Sequence, residues 1–230
     1  MKSVSLSFLL VSIISISSVS AQSSARIVAG VNLANVSVTP DGRINKAHEL
    51  TSFQVGIIAD AHLGSILYLQ PGILFTGKGS KVESGDVNSS YYYKATANPY
   101  YIEIPFNLVF KLPATGGNKI FLGAGPYAAI RISGKNKVDG TFGVVAYHNE
   151  SNIEFSNDDP TTMNQEEGAG FGILKRFDYG FNGVAGIEGR SLTLSVNYGY
   201  GLAKLQSGSN SSQDNDNKHR VISIVFGIKL

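Results

Sequence analysis

The chain is expected to be all-β, an eight-stranded antiparallel up-and-down transmembrane β-barrel. Three observations point there. Apolar and polar residues alternate over eight segments, the apolar face of those segments carries no charge, and the connections between them alternate long and short. Side chains of a strand point to opposite faces in turn, so one uncharged apolar face describes a ribbon with one side in hydrocarbon. The plainest case is residues 100–112, where Tyr100, Ile102, Ile104, Phe106, Leu108, Phe110 and Leu112 share a face. Tyr101, Glu103, Pro105, Asn107, Val109 and Lys111 share the other. About 13 residues exceeds the five or six usual in globular sheets and suits a tilted membrane strand.

The N-terminus comes first in chain order. Lys2 supplies a positive start, residues 8–16 a short apolar core broken by serines, and Val19-Ser20-Ala21 a small-residue end. Residues 1–21 therefore read as a secretory signal, cleaved after Ala21, with 22–230 as the outer-membrane barrel domain. The absence of Cys excludes a lipidated N-terminus and fits a chain exported without disulfides. A net charge of +2 gives no electrostatic case for a nucleic-acid partner. Beyond the signal no run of 18 apolar residues exists, so no transmembrane helix is expected.

The segments follow. The first, 26–38, sets Ile27, Ala29, Val31 and Leu33 against Arg26, Val28, Gly30 and Asn32. A polar connection leads to 51–63, with Phe53, Val55, Ile57, Ala59, Ala61 and Leu63 on one face and Gln54, Ile58 and Asp60 on the other. Gly64-Ser65 leaves room only for a tight turn before 66–76. A longer polar stretch, 77–98, precedes the strand at 100–112. After Gly116-Gly117 the chain returns through 119–133, with Phe121, Tyr127 and Arg131 on the polar face. The region 134–176 is the longest irregular one, within which 141–147 and 168–174 are candidates to extend neighbouring strands. Segments 177–188 and 191–205 are joined at Gly189-Arg190, and a Ser/Asn/Asp-rich connection leads to 221–230. There Ile222, Ile224, Phe226, Ile228 and Leu230 alternate without exception. Tight turns on the periplasmic side and long loops outside would put both termini in the periplasm.

A soluble sandwich also alternates, but its outer face is charged and wet. Here the non-apolar face is rich in Gly, Asn, Ser and Gln, which suits a narrow interior. Eight charges fall on it: Arg26, Asp60, Glu103, Lys111, Arg131, Asp178, Glu188 and Lys229. Four are basic and four acidic, so they are expected to pair as a lumen network, with Glu103 near Arg131 and Lys111 near Glu188. Pro71, Pro105 and Pro126 interrupt strands, where each removes a ladder hydrogen bond.

The motifs Gly30-Val31-Asn32-Leu33, Leu69-Gln70-Pro71, Ile102-Glu103-Ile104-Pro105, Leu122-Gly123-Ala124-Gly125-Pro126-Tyr127, Arg176-Phe177-Asp178-Tyr179-Gly180 and Tyr198-Gly199-Tyr200-Gly201-Leu202 run in order along the mature chain. Together they resemble the outer-membrane β-barrel domain proteins of Bacteroidetes, the porin-like, PorT-like group. The resemblance implies fold and outer-membrane location far more than any activity, and it makes Pro105 a tolerated feature.

Enzymatic signals are thin. Gly123-x-Gly125-x-x-Ala128 lacks the helix and the placed acid of a dinucleotide site, and Gly77-Lys78-Gly79-Ser80 lacks the spacing of a phosphate loop. His48, His148 and His219 fall on three exterior connections near Asp158, Asp159 and Asp216, where solvated loop histidines are expected. The acidic stretch 150–159 lacks calcium-ligand spacing. Tyr91, Tyr92, Tyr93, Tyr100 and Tyr101 read as an interfacial aromatic girdle. The expectation is a monomeric, non-enzymatic barrel with a side-chain-filled lumen, no cofactor and no metal. It would contact outer-membrane lipid and meet an extracellular ligand or protein through residues 39–50, 77–98, 134–176 and 206–219. The rivals are a small diffusion pore and a barrel hydrolase or acyltransferase using the loop histidines.

Overall fold

The computed structural model describes residues 23–37, 49–86, 91–153, 175–203 and 218–230. The expected signal segment 1–21, His48, Asp158, Asp159, Asp216, residues 168–174 and most of the expected connections 39–50 and 206–219 lie outside the described residues. The described chain forms ten strands: β1 (Ser24–Ser37), β2 (Leu50–Gly64), β3 (Leu67–Gly77), β4 (Ser80–Ser84), β5 (Tyr91–Pro113), β6 (Lys119–Phe142), β7 (Val145–Asn152), β8 (Phe177–Glu188), β9 (Leu192–Gly201) and β10 (Lys218–Lys229). Eight of them close a ring in the order β1-β2-β3-β5-β6-β8-β9-β10 and back to β1, every pairing antiparallel. The first and last strands seal it from Arg26↔Lys229 to Ser37↔Lys218. Closure leaves no sheet edge inside the ring, the condition hydrocarbon imposes on a spanning sheet.

Strands β4 and β7 stand outside the ring; they correct the reading of 77–98 as a connection, while 141–147 does extend the neighbouring strands, in β6 and β7, and the extension reaches back to residue 134 and on to Asn152. β5 begins at Tyr91 and β6 runs on to Phe142, paired with each other throughout, with β4 on one flank and β7 on the other. Residues 91–99 alone carry this four-stranded extension about 30 Å beyond the ring at the usual rise per residue. Alternation missed it because its side chains include Lys94, Thr96, Lys135, Lys137 and Asp139 rather than one apolar row. Backbone pairing persists where the apolar period has ended. A register shift at Tyr100/Tyr101 gives β6 one extra residue, Ile132, and marks that boundary.

The three prolines do not shift the ladder. Gln70↔Asn107, Pro71↔Phe106 and Leu74↔Glu103 keep one register, as do Pro105↔Tyr127 and Leu108↔Ala124. Each proline costs a local hydrogen bond, and its strand continues in phase. At the short-turn end, Gly116 and Gly117 adopt φ of 75° and 78°, conformations a side chain resists, and this fixes the β5–β6 turn.

Outward-facing Ile27, Phe53, Ile57, Ile73, Phe106, Leu122, Phe181, Val196 and Phe226 are all exposed and form the apolar band around the ring. No helix of the described chain is long and apolar enough to cross a membrane, and the band is the alternative crossing surface. The rings of Phe53, Phe75 and Tyr100 gather at its upper rim, with centroids 5.4–6.0 Å apart.

Candidate functional site: the barrel interior

The inward positions of all eight ring strands meet on the axis, since eight strands leave an interior only wide enough for side chains. Seven of the eight charges singled out above are buried there, and the eighth, Lys229, is partly exposed at the short-turn end. They gather into two clusters. In the lower one Arg26 donates to Asp60, and Lys111 Nζ stands 3.0 Å from Asp60 Oδ1 and 2.5 Å from Glu188 Oε2. Lys229 Nζ reaches Glu188 Oε1 at 2.7 Å. Gln70 donates to Asp60 at 2.6 Å, and the ring of Tyr68 lies 4.5 Å from the Lys111 ammonium. Strands β1, β2, β3, β5, β8 and β10 are thereby tied across the axis.

The upper cluster turns on a residue the sequence reading left in a connection. Lys78, between β3 and β4, is buried; its Nζ lies 2.6 Å from Glu103 Oε2 and 3.0 Å from Asp178 Oδ2, and 4.0 Å over the Tyr127 ring. Tyr127 donates its hydroxyl proton to Asp178 at 3.2 Å, and Asn182 donates to Glu103 at 3.2 Å. The signal that could have found Lys78 was present. Gln70, Leu74, Thr76 and Lys78 keep one parity, so the inward row of β3 continues past Gly77.

Glu103 and Arg131 were expected to meet, and the register separates them. Glu103 lies opposite Ala129, whereas Arg131 lies opposite Tyr101. Arg131 donates from Nε to the Tyr101 hydroxyl at 2.8 Å and from a terminal nitrogen to the Lys175 carbonyl. With its oxygen accepting from arginine, the Tyr101 hydroxyl is placed to donate its own proton to His219 Nε2, 2.7 Å away. Lys111 and Glu188 meet as expected.

Apolar side chains pack much of the remaining interior: Val28, Ile58, Leu74 and Val225 form one cluster, and Val109, Phe121 and Val184 another. The ion pairs therefore sit in a medium of low polarity, where attraction is strong and an unpaired charge is costly.

Among the described residues the histidines do not converge. His148 is exposed on β7 and paired with Asp139, while His219, read from sequence as a solvated loop residue, is 1% exposed inside the barrel. Of the five tyrosines assigned to a girdle, Tyr100 stacks on Phe75 at the rim and Tyr101 is fully buried. Tyr91, Tyr92 and Tyr93 belong to the extension. Gly123 to Ala128 lie within β6, a strand, and Gly77 to Ser80 span the β3–β4 break. Among the described residues no three His, Asp or Glu side chains are grouped to hold a metal ion.

A family model described as "Outer membrane protein beta-barrel domain" matches residues 20–207. No curated protein sequence matches the chain. Similar solved structures include the attachment invasion locus protein Ail of Yersinia pestis, at 11% identity and a TM-score of 0.41, covering 91% of this chain and 99% of that one. Neisserial surface protein A is another, at 12% identity and a TM-score of 0.41, covering 90% and 96%.

Proposed function

Since the chain belongs to the outer membrane protein beta-barrel domain family, we propose that it is a non-enzymatic, monomeric barrel whose lumen is closed by its own side chains and which works through its long-connection end. The observation that carries this reading is the pair of ion-pair clusters spanning the axis. Ring closure within one chain needs no second subunit. Residues 1–21 act as a signal removed after Ala21, and the PorT-like, Bacteroidetes resemblance is the finer form of the family membership.

The membrane places the tight turns at Gly64, Gly116 and Gly189 in the periplasm and the β4–β7 extension outside the cell. That extension presents Tyr91, Phe142, Val144 and Val145 as an exposed apolar tip, a contact surface for an extracellular ligand or protein. The hydrolase reading is disfavoured because His148 and His219 share no pocket. The pore reading is disfavoured because the lower cluster ties six of the eight ring strands together across the lumen and the upper one adds ion pairs between the β3 end, β5 and β8.

Protease added to intact cells should cut near Val144 and leave the three tight turns intact. The reverse pattern would invert the barrel and remove the extension as a surface contact. An unbiased capture from intact cells with a tag at the β6–β7 turn then identifies what the tip meets.

A further inference from the structure

A cavity of about 40 Å³ lies on the axis below the upper cluster. Lys78, Glu103, Tyr127 and Asn182 face it from that cluster, and Asn107, Asn197, Thr76, Ser223 and Gly199 line it as well. Asn107 is directly opposite Gln70, which donates to Asp60 of the lower cluster, so the cavity occupies the gap between the two. Asn107 is 7% exposed, and neither its Oδ1 nor that of Asn197 receives a hydrogen bond from any described protein group. A buried acceptor left this way is destabilising unless something donates to it.

We propose that this chamber binds a fixed cluster of about three water molecules, anchored on the Asn107 and Asn197 side-chain carbonyls, which joins the two ion-pair clusters into one closed plug. The proposal rests on the side-chain-filled lumen argued above. Volume allows it, since an enclosed water needs roughly 10–15 Å³ of such space. Chemistry selects it. The unsatisfied groups are acceptors, which a halide or phosphate would not satisfy. A metal cation would satisfy them, but the Lys78 ammonium lines the same chamber. Inward Arg26, Lys78, Lys111, Arg131 and Lys229 also outnumber Asp60, Glu103, Asp178 and Glu188, five to four. Water donates to the amide oxygens and accepts from the hydroxyls of Thr76 and Ser223, so it alone fits both sides.

The test is a high-resolution crystal structure of the refolded full barrel, with parallel crystals soaked in rubidium and in bromide. Density within hydrogen-bond distance of both amide oxygens, without anomalous signal, is the expected result. A cavity with no density, or an anomalous rubidium or bromide peak in it, overturns the water cluster. Gly199→Ala provides a second reading. A methyl group there meets nothing nearer than Asn182 Oδ1 at 3.4 Å, so the barrel should fold, migrating faster on gels unheated than boiled as the wild type is expected to, while losing at least one of these waters. Full water occupancy in that variant also counts against the proposal. Conductance recorded on the same preparation separates the two readings. Ion flow with the waters in place defeats only the plug, and a dry, non-conducting chamber defeats only the water.

Discussion

Lys78 carries the strongest consequence at the scale of one residue. Its ammonium lies between two buried carboxylates, Glu103 and Asp178, and both would be left facing each other without it. Lys78→Met should therefore cost about 3–5 kcal/mol in urea unfolding from lipid vesicles, the range for breaking a buried pair. Glu103→Ala should cost less, because Lys78 keeps Asp178. A double-mutant cycle distinguishes this pairing from the one expected from sequence: Lys78 and Glu103 should couple by at least about 1 kcal/mol, and Glu103 and Arg131 by much less. Coupling in the opposite order would mean that the register at the upper rim is wrong.

Glu150 on the extension gives a second residue-scale expectation. Hydrogen bonds from Lys135 and then Lys137 hold its carboxyl down to about 2 from an ordinary 4.5, and Lys135 is raised in return. A depressed carboxyl stabilises the fold above its ordinary range, and that contribution is lost as pH falls from about 4.5 towards 2. The carboxyl carbon signal of Glu150 should titrate near pH 2 in NMR. A midpoint at the ordinary value would show that the β6–β7 pairing does not hold the side chain.

At the scale of elements, the eight ring strands were legible because lipid enforces a strict pattern on their outer faces. Of the extension only 141–147 was legible, because nothing outside the hydrocarbon demands an apolar row on Lys94, Thr96, Lys135 or Lys137. Lys78 was missed for a related reason. It stands just past the apolar rows, where polarity reads as a loop even though the inward parity continues. Partners were harder than faces: parity assigns a side chain to the lumen, but only register decides whether Glu103 meets Arg131 or Lys78, and the ladder that runs unshifted from Pro113↔Lys119 to Tyr101↔Arg131 sets Glu103 against Ala129.

Close strand approach also fixes some positions strictly. A Cβ on Gly125 would lie 1.9 Å from the Phe106 carbonyl oxygen and 2.7 Å from the Asn107 Cα, both backbone atoms. Gly125→Ala should thus reduce the yield of heat-modifiable barrel sharply, in contrast to Gly199→Ala. Equal refolding of the two variants would show that β5 and β6 do not approach this closely.

For the whole molecule, closure and filling are one arrangement. The ring removes sheet edges, the apolar band meets lipid, and the charges that lipid cannot accept are turned inward to satisfy one another across the axis. On the function proposed above, a chain so arranged holds itself shut, and the extension is the surface through which it acts. The most direct measurement of this central claim is single-channel recording of the purified wild-type protein in planar bilayers. The account predicts no steady conductance across the voltage range, because Arg26, Asp60, Lys111 and Glu188 below and Lys78, Glu103 and Asp178 above block the lumen. Large, stable single-channel steps would contradict it and establish a pore instead.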